Sequence, residues 1–257
     1  MHIVRRFSGI AAAVGLVGVL LAAQPALAAT VTNGGFETGD FTGWTVTPEE
    51  DSAGTWTVAT GTTSPISQHT VPAPPCDTHA AVYDESEVSS AVMYQDLTLA
   101  AGETHTLTFT HYYENYASTG EVDELKGVQA DTPIWASPDS LDYNFDGTNQ
   151  QYRVDIMKTS ADPFSVASSD ILKSVFQTEP GDPATLDPTE VTVDLSAFAG
   201  QTVRLRFAAV DNEDYLNVGV DCVALASTAI PTTTTTTAPA TTTTAPAPVE
   251  VQPAFTG

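Results

Sequence analysis

The chain has 257 residues, of which 32 are acidic and 8 are basic, so its formal net charge at neutral pH is −24. This charge argues against nucleic acids and anionic membranes as partners, because both carry the same sign of charge as the protein. Hydrophobic residues make up 42 % of the sequence. That fraction supports a buried core and excludes a chain that is disordered throughout.

The N-terminal segment has the pattern of a secretory signal peptide. Arg5 and Arg6 precede an apolar run from about Ile10 to Ala23, and an A-x-A cleavage pattern follows at residues 26–28. The run is shorter than the roughly 20 residues that a membrane span needs, which argues against a retained anchor. We therefore predict that residues 1–28 are removed and that the mature chain is secreted without a membrane span.

The segment from residue 29 to 227 is predicted to fold as one all-β domain. Polar and apolar residues alternate with a period of two in several runs, which Gly, Pro, Asn and Asp clusters separate. A short helix and a strand remain open for Ser168–Phe176. The runs with strand alternation are Thr55–Thr60, Thr104–Phe109, Tyr152–Met157, Val191–Leu195 and Thr202–Phe207.

The C-terminal segment, residues 228–257, consists almost entirely of Thr, Pro and Ala. It has almost nothing to bury, so we predict a disordered linker. Its end, Gln252–Gly257, resembles a degenerate sortase signal of Gram-positive surface proteins, whose pattern is L-P-x-T-G, but the Leu is missing. Attachment to the cell wall and free secretion both remain open.

Two stretches of the central domain resemble a known family. Asn33–Trp44 (NGGFETGDFTGW) and Leu195–Phe207 (LSAFAGQTVRLRF), with Val210–Asn212 and Gly219–Asp221, resemble the opening and the close of secreted bacterial galactose-binding-like domains. Several carbohydrate-binding-module families belong to this group. The resemblance implies a two-sheet antiparallel jelly-roll sandwich. It also implies carbohydrate binding, but only by analogy, because this architecture serves many functions.

The same resemblance implies a structural calcium ion with Glu37 and Asp221 as side-chain ligands. Asp221 shares its parity with Val223 and Leu225, so we expect it to point towards the interior at a strand end. A carboxylate there needs a cation or several hydrogen-bond donors. Ca²⁺ prefers oxygen ligands, and carbonyls of a Gly-rich turn would complete the set. The alternative is a hydrogen-bonded Asp without a metal.

A second candidate for calcium is the loop that contains Asp142, Asn144 and Asp146. Its D-x-N-x-D-G spacing places three oxygen-bearing side chains around a turn. It is not an EF-hand, because the twelfth position is Arg153 instead of Glu. An ordinary turn stabilised by Asp and Asn side chains explains the same residues.

The sequence has two cysteines, Cys76 and Cys222. An even number in an exported chain favours a disulfide bond, and two separate thiols are the alternative.

Candidate ligand-binding residues follow the stretch His111–Tyr116 and the long loop after it. Neighbouring residues in a strand face opposite sides, so we expect either Tyr112 or Tyr113 to be exposed, whereas Trp44 and Trp56 are expected in the core. The alternative is that these aromatic residues cover a sandwich edge. The candidates are Tyr113, Asn115, Tyr116, Trp135 and Tyr143.

The sequence favours a non-catalytic protein. It contains no G-x-S-x-G elbow, no H-E-x-x-H helix and no Gly-rich phosphate loop, and its many carboxylates single out no acid pair. We therefore expect a secreted or cell-surface binding module whose partner is a glycan or cell-surface polysaccharide. The alternative is a structural or adhesive surface protein that contacts the cell wall or other proteins and has no sugar site.

Overall fold

A computed structural model describes residues 30–120, 122–123, 128–129 and 132–231 of the chain. The predicted signal peptide and nearly all of the predicted linker lie outside these residues. Within the described part, no helix is long and apolar enough to cross a membrane. A single turn of 3₁₀ helix at Ser196–Phe198 accompanies the strands β1 (Thr45–Pro48), β2 (Gly54–Ala59), β3 (Ala80–Glu85), β4 (Ser89–Thr98), β5 (Glu103–Asn115), β6 (Val122–Asp123), β7 (Val128–Gln129), β8 (Gln151–Lys158), β9 (Ile171–Gln177), β10 (Thr185–Asp194), β11 (Thr202–Asp211) and β12 (Leu216–Ala229).

Ten of these strands form two five-stranded antiparallel sheets. Sheet A has the order β1-β4-β11-β8-β9 and sheet B the order β10-β5-β12-β3-β2, while β6 and β7 pair separately. Without the edge strands β1 and β2, the order in which the chain alternates between the sheets is that of a jelly roll. The predicted all-β jelly-roll sandwich is thus confirmed.

The alternating runs of the sequence coincide with strands. β2, β5, β8, β10 and β11 contain the five predicted segments, apart from one residue at an end in two of them. The open choice at Ser168–Phe176 resolves as a strand, because β9 starts at Ile171. β12 extends past the expected boundary at residue 227, since Thr228 and Ala229 pair with Thr104 and Glu103.

The main core lies between the two sheets. Phe207 on β11 is fully buried and contacts the rings of Trp44, Trp56 and Phe109 at centroid distances of 6.1, 6.5 and 5.3 Å. Both tryptophans are therefore core residues, as predicted. Each of these rings buries a large apolar area, so this cluster contributes strongly to stability.

The outer face of sheet B is covered by residues 60–79. The buried Asp84 carboxylate accepts hydrogen bonds from the backbone N–H of Ile66 at 2.6 Å and from Ser67 Oγ at 2.6 Å, which holds this segment against the sheet. Tyr112, which faces outward, lies across Gly219, where its ring occupies the space that a Cβ would need. The expectation that Tyr112 or Tyr113 is exposed is therefore wrong, since both are buried.

The outer face of sheet A carries a second, smaller apolar cluster. Val92 on β4 and Ala208 and Val210 on β11 are buried there against the loops that flank β8. Leu141 and Tyr143 come from the loop before β8; Phe164 and Val166 come from the loop after it. Both outer faces of the sandwich are thus partly covered by loops.

The free energy of unfolding should decrease as the pH drops below 6.5, because of His111. Its ring packs edge-on against Phe109 and Phe176, and Nδ1 lies 3.2 Å from Tyr152 Oη. Burial lowers the pKa of His111 to about 4 from an ordinary value of 6.5. The unfolded chain then binds more protons than the folded one between these values, so stability is lost as the pH falls through this window. The loss should approach about 3 kcal/mol.

The test is His111→Gln, which keeps a hydrogen-bonding side chain and cannot titrate. Urea unfolding of both proteins at pH 7.5 and pH 4 should show a smaller loss of stability on acidification in the variant. Identical losses in the two proteins would show that His111 does not cause the acid sensitivity.

Candidate functional site

A cleft of about 710 Å³ lies on the outer face of sheet A. One wall is the loop before β8, the other is the loop after β8, and Glu49, just after β1, completes the lining. Carboxylates, hydroxyls and apolar side chains are all present. The lining residues are Glu49, Asp139, Ser140, Leu141, Asp142, Phe164, Ser165, Val166, Ala167 and Ser168.

The first wall, the loop before β8, is held in place by hydrogen bonds that Tyr143 and Asn149 donate. The Tyr143 N–H donates to Glu49 Oε2 at 3.2 Å, and the Tyr143 hydroxyl donates to the carbonyl of Glu50 at 2.9 Å. The amide of Asn149, a buried residue, donates to the carbonyl of Asp142 at 2.9 Å. These bonds place Asp142 beside Glu49, although 93 residues separate the two in the chain.

The second wall is held by Arg206, whose side chain is fully buried. Its Nη1 donates to the carbonyls of Pro163 and Ser165, both at 2.7 Å, and its Nη2 donates to Asp155 Oδ2 at 2.6 Å. Asp155 is also buried and accepts two further bonds from Arg153. A charged network within sheet A therefore positions the loop that carries Phe164.

The cleft is negatively charged. Partial burial raises the pKa of Glu49 above its usual range; the hydrogen bond from Tyr143 opposes this shift and the charge of Asp142 adds to it. Carboxylates accept hydrogen bonds from hydroxyl groups and repel anions. Phe164 and Val166, which are half-buried, offer apolar surface beside them. This combination suits a polyhydroxylated neutral ligand.

Two of the predicted ligand-binding aromatics belong to the main core instead. Tyr113 and Trp135 are 2 % and 4 % exposed, and their rings meet edge to face at a centroid distance of 5.2 Å. Trp135 Nε1 donates to the carbonyl of Pro183 at 3.1 Å. No ring face remains on either residue for a sugar to stack on.

Asn115 and Tyr143 also have structural contacts. Asn115 is buried; its Nδ2 donates to the carbonyl of Ile134 at 2.7 Å, and its Oδ1 accepts from Gln150 Nε2 at 2.9 Å. Tyr143 is 9 % exposed and packs on the outer face of sheet A. It does not line the cleft, so neither Asn115 nor Tyr143 is the exposed ligand-binding side chain that the sequence predicts.

Tyr116 is the one predicted ligand-binding residue that is exposed, at 38 %. Its ring stacks on His69 at a centroid distance of 4.1 Å, and its hydroxyl donates to Glu114 at 2.9 Å. The ring of Tyr215 meets the His69 ring edge to face at a centroid distance of 4.9 Å. These three rings are separate from the cleft, because none of them lines it.

The structure brings Glu37 and Asp221 together at Gly35. An ideal Cβ at Gly35 would lie 3.7 Å from both Asp221 Oδ1 and Glu37 Cγ. Asp221 is buried, but on the outer face of sheet B. The expected inward direction is wrong, because a β-bulge at Cys222 and Val223 breaks the parity between Asp221 and Val223.

Hydrogen bonds already surround these two carboxylates. Asp221 accepts from the N–H groups of Cys76 and Cys222 at 2.7 and 2.6 Å. Glu37 accepts from Thr78 Oγ1 at 2.7 Å and from the N–H of His79 at 2.8 Å. Its bond to Thr78, the largest of several, lowers the pKa of Glu37 to about 2.

The donor set at this place fits a calcium ion. Burial, together with the charges of Glu37 and Asp77, raises the pKa of Asp221 to about 6 in spite of its two hydrogen bonds. The local excess of negative charge and the oxygen donors are what Ca²⁺ requires, and each oxygen of Asp221 accepts one bond and keeps a second lone pair. Both oxygens of Glu37 already have two neighbours within hydrogen-bond distance, from Thr78 and His79, so Glu37 would exchange one of these contacts for the ion. The residues present can thus hold the implied ion.

The loop of Asp142, Asn144 and Asp146 forms a turn stabilised by its own side chains. Asp142 Oδ1 accepts from the N–H of Asn144 at 2.7 Å, as in an Asx turn. The three side chains are exposed, and Asp142 contributes to the cleft. These contacts favour the simple turn, and calcium at this loop stays a prediction.

Cys76 and Cys222 form the predicted disulfide bond, with a Cα–Cα distance of 5.7 Å. Together with Asp221 they form the one group of three or more His, Cys, Asp and Glu residues, among those the structure describes, whose ligand atoms all lie within 4.8 Å of one another. The two sulfur atoms are bonded to each other and neither is a thiolate, so this cluster is not a site for a thiolate-bound metal.

Sequence reasoning missed Glu49 and Phe164. Glu49 belongs to the run Glu49-Glu50-Asp51, which is typical of a solvated loop, and Phe164 lies in a loop without periodicity. No local pattern indicates that these residues meet, because the cleft depends on two loops that converge on sheet A.

No protein-family model matches the chain, and the curated proteins contain no match. Solved structures do resemble it. They include TmCBM61 in complex with β-1,4-galactotriose (11 % identity, 76 % of this chain and 94 % of that one, TM-score 0.43). The K3 cleaved adhesin domain of Lys-gingipain from Porphyromonas gingivalis is 16 % identical over 77 % of this chain and 98 % of that one (TM-score 0.43). A cyclase from Fischerella sp. TAU is 18 % identical over 80 % of this chain and 100 % of that one (TM-score 0.42). Such distant likeness to a sugar-binding module, an adhesin domain and a cyclase does not separate their functions.

Proposed function

We propose that the protein is a secreted, non-catalytic module that binds a neutral glycan in the cleft on the outer face of sheet A. The observation that carries the proposal is the lining of the cleft. Glu49, Asp139 and Asp142 can accept hydrogen bonds from sugar hydroxyls, and Phe164 offers a ring to the apolar face of a sugar. An acidic glycan would be repelled by the same carboxylates.

A binding role without catalysis is supported by the composition of the cleft. Its lining residues include no histidine and no cysteine, and the Ser165 hydroxyl donates to the carboxylate of Asp170 at 2.7 Å. A serine or cysteine nucleophile activated by a histidine base therefore has no counterpart among these residues. The disulfide bond agrees with an extracellular location.

Calcium, in this proposal, has a structural role. Glu37 and Asp221 would hold the ion, which would link the turn at Gly35 to β12 and to the segment that contains Cys76. This link lies on the outer face of sheet B, whereas the cleft lies on that of sheet A. Calcium should therefore affect stability more than affinity for the glycan.

A role in adhesion to other proteins is the second candidate. Tyr116 is exposed and forms an aromatic cluster with His69 and Tyr215. Exposed tyrosines are common at the centres of protein interfaces. Such a role would use this cluster and not the cleft, so the two candidates can be separated by mutation.

We expect Glu49→Gln to weaken glycan binding by about tenfold or more, because a charged acceptor for sugar hydroxyls becomes a neutral amide. Asp142→Asn should have a similar effect. The measurement is a screen of immobilised neutral polysaccharides, followed by calorimetric titration with the best ligand. Asp146→Asn is the matched control: it removes the same charge from the same loop but lies outside the cleft.

The outcomes separate the candidates. Loss of binding in the two cleft variants but not in the control supports the cleft as a sugar site. A folded protein that binds no glycan, or one whose binding is unaffected by the cleft variants, would contradict the proposal. In that case Tyr116→Ala, tested for capture of surface proteins, would examine the adhesive role.

A further inference from the structure

Another pocket, of about 340 Å³, lies at the edge of sheet A, beside the start of β1. Gln95 Oε1 accepts from the N–H of Thr32 at 2.8 Å, and Gln95 Nε2 donates to the carbonyl of Thr32 at 3.0 Å. These two bonds hold the segment before β1 against β4. We call this place the β1 pocket; its lining includes Thr32, Thr45, Tyr94, Gln95 and Asp96.

The register of β1 places the β1 pocket on the same face of the sandwich as the cleft. Thr45 pairs with Tyr94, and Thr47 pairs with Val92. Residues that pair across two strands share a face of the sheet, and so do alternate residues of one strand. Val92 belongs to the apolar cluster on the outer face of sheet A. Thr45, Thr47 and Tyr94 therefore face outward as well.

β1 also connects the two places. Glu49, which lines the cleft, directly follows β1, and its N–H donates to the carbonyl of Ser90 at 2.9 Å, so the contact with β4 continues to this residue. Thr45, at the other end of β1, lines the β1 pocket. Four residues of a strand cover about 13 Å. This distance exceeds the size of a single sugar ring, so one ring cannot contact both ends.

Tyr94 links the β1 pocket to the apolar surface of the cleft. Its half-buried side chain packs against the outer apolar cluster, as do Phe164 and Val166, which line the cleft. Tyr94 also lines the β1 pocket. The guanidinium of Arg204 lies over the Tyr94 ring, 4.0 Å from its centroid, and stabilises the ring in this position.

The polar groups of the β1 pocket suit a ligand with hydroxyl groups. Asp96 accepts from Arg204 Nε at 2.7 Å and from Arg204 Nη2 at 3.2 Å, which balances its charge, and its side chain is still 40 % exposed. Each carboxylate oxygen keeps a lone pair for a further donor, and the exposed Thr45 can donate or accept. An ion pair without net charge favours a neutral polar ligand over an ion.

We propose that the cleft and the β1 pocket are two subsites for one extended neutral glycan, which lies along β1 and contacts Tyr94. This inference rests on the proposed function and adds the length of the ligand to it. The volume of each place is within the range of ligand sites. The cleft alone accommodates a short oligosaccharide, whereas the two places together require a chain of several sugar units. The ligand is therefore a polysaccharide bound along its chain.

The test compares oligosaccharides of two lengths by calorimetric titration of the full protein. The probes are neutral β-1,4-linked pairs, namely cellobiose and cellohexaose, mannobiose and mannohexaose, and xylobiose and xylohexaose. Within a pair that binds, the hexasaccharide should bind about tenfold or more tightly than the disaccharide, because only the longer chain reaches the second subsite.

Two variants examine the β1 pocket itself. Thr45→Arg places a long side chain in the pocket from an exposed position, so it should abolish the advantage of the hexasaccharide and leave the disaccharide unaffected. Tyr94→Ala should weaken binding of the hexasaccharide more than binding of the disaccharide. Thr192→Arg is the matched control, because it makes the same change at an exposed position of β10, the edge strand of sheet B. The midpoint of thermal unfolding shows that each variant is folded.

Glu49→Gln distinguishes failure of this inference from failure of the proposed function. It should weaken binding of both lengths, since both occupy the cleft. If it does so, but the two lengths bind equally or Thr45→Arg leaves the hexasaccharide unaffected, the cleft is a sugar site and the inference is overturned. If Glu49→Gln has no effect, or if the folded protein binds neither these sugars nor any polysaccharide of the screen, the proposed function fails and this inference fails with it.

Discussion

Replacing both Cys76 and Cys222 with serine should lower the free energy of unfolding by about 5 kcal/mol. The disulfide joins positions that are 146 residues apart, and a bond that closes so long a loop strongly restricts the unfolded chain. Domains of this kind have total stabilities of about 5–15 kcal/mol, so the loss is a large fraction of the whole. The measurement is urea unfolding of both proteins without a reducing agent.

This double substitution should remove the disulfide bond without removing the hydrogen bonds around it. The N–H groups of both residues donate to Asp221, and serine retains these N–H groups, so the local hydrogen bonds survive. The unsubstituted protein, reduced and kept in reducing agent, is the control and should match the double variant. A loss below about 1 kcal/mol would show that the bond contributes little beyond the hydrogen bonds around it.

Arg206→Met should destabilise the protein by about 3–5 kcal/mol, because it removes one partner of a buried ion pair. Asp155 would keep only its bonds from Arg153, and the carbonyls of Pro163 and Ser165 would lose their donor. The loop that forms one wall of the cleft would then lose its attachment to sheet A. Both urea unfolding and glycan titration should therefore report the change.

Arg204→Met is the matched control, on the same strand and the same face. Arg204 pairs with Asp96, whose side chain is 40 % exposed, so the loss should be about 1 kcal/mol. Glycan binding in the cleft should be retained, because the bond from Arg204 to the loop after β8 is long, 3.4 Å to the carbonyl of Ala161, and Ala161 does not line the cleft. Equal effects of the two substitutions would contradict the role assigned to Arg206.

The strands were predictable because their alternation reflects two different environments. In β11, Val203, Leu205 and Phe207 face the main core, while Arg204 and Arg206 face the outer side. This contrast is visible in the sequence as apolar and polar residues in turn. The jelly-roll order itself came from the resemblance, since alternation does not determine which strands pair.

The directions of several side chains were not predictable, because they depend on distant segments. Tyr112 is buried although it faces outward, since residues 60–79 cover that face of sheet B. Asp221 faces away from the core because Cys222 adopts a positive φ of 56° within a bulge. Strand parity assumes a regular strand with one solvated face, and neither assumption holds here.

The cleft was hidden from the sequence for a related reason. Its acidic side chains come from segments that are far apart in the chain, and Asp142 reaches Glu49 only through the bonds of Tyr143. Of the ligand-binding candidates, Tyr116 alone remains on the surface. Residue type therefore suggested a kind of ligand, whereas the place proposed for its binding depends on how the loops pack on sheet A.

The position of the disulfide has a mechanical consequence. The two cysteines lie just before β3 and near the middle of β12, so β3 to β11 all lie between them in the chain. A pulling force applied to the two ends of the domain would pass directly from Cys76 to Cys222 through the covalent bond. Tension could extend the residues outside this loop, including β1 and β2, while the strands inside it would bear no load. Most of the sandwich, with the two loops that form the walls of the cleft, would therefore keep its shape under tension, whereas Glu49, which lies before Cys76 in the chain, would not be protected.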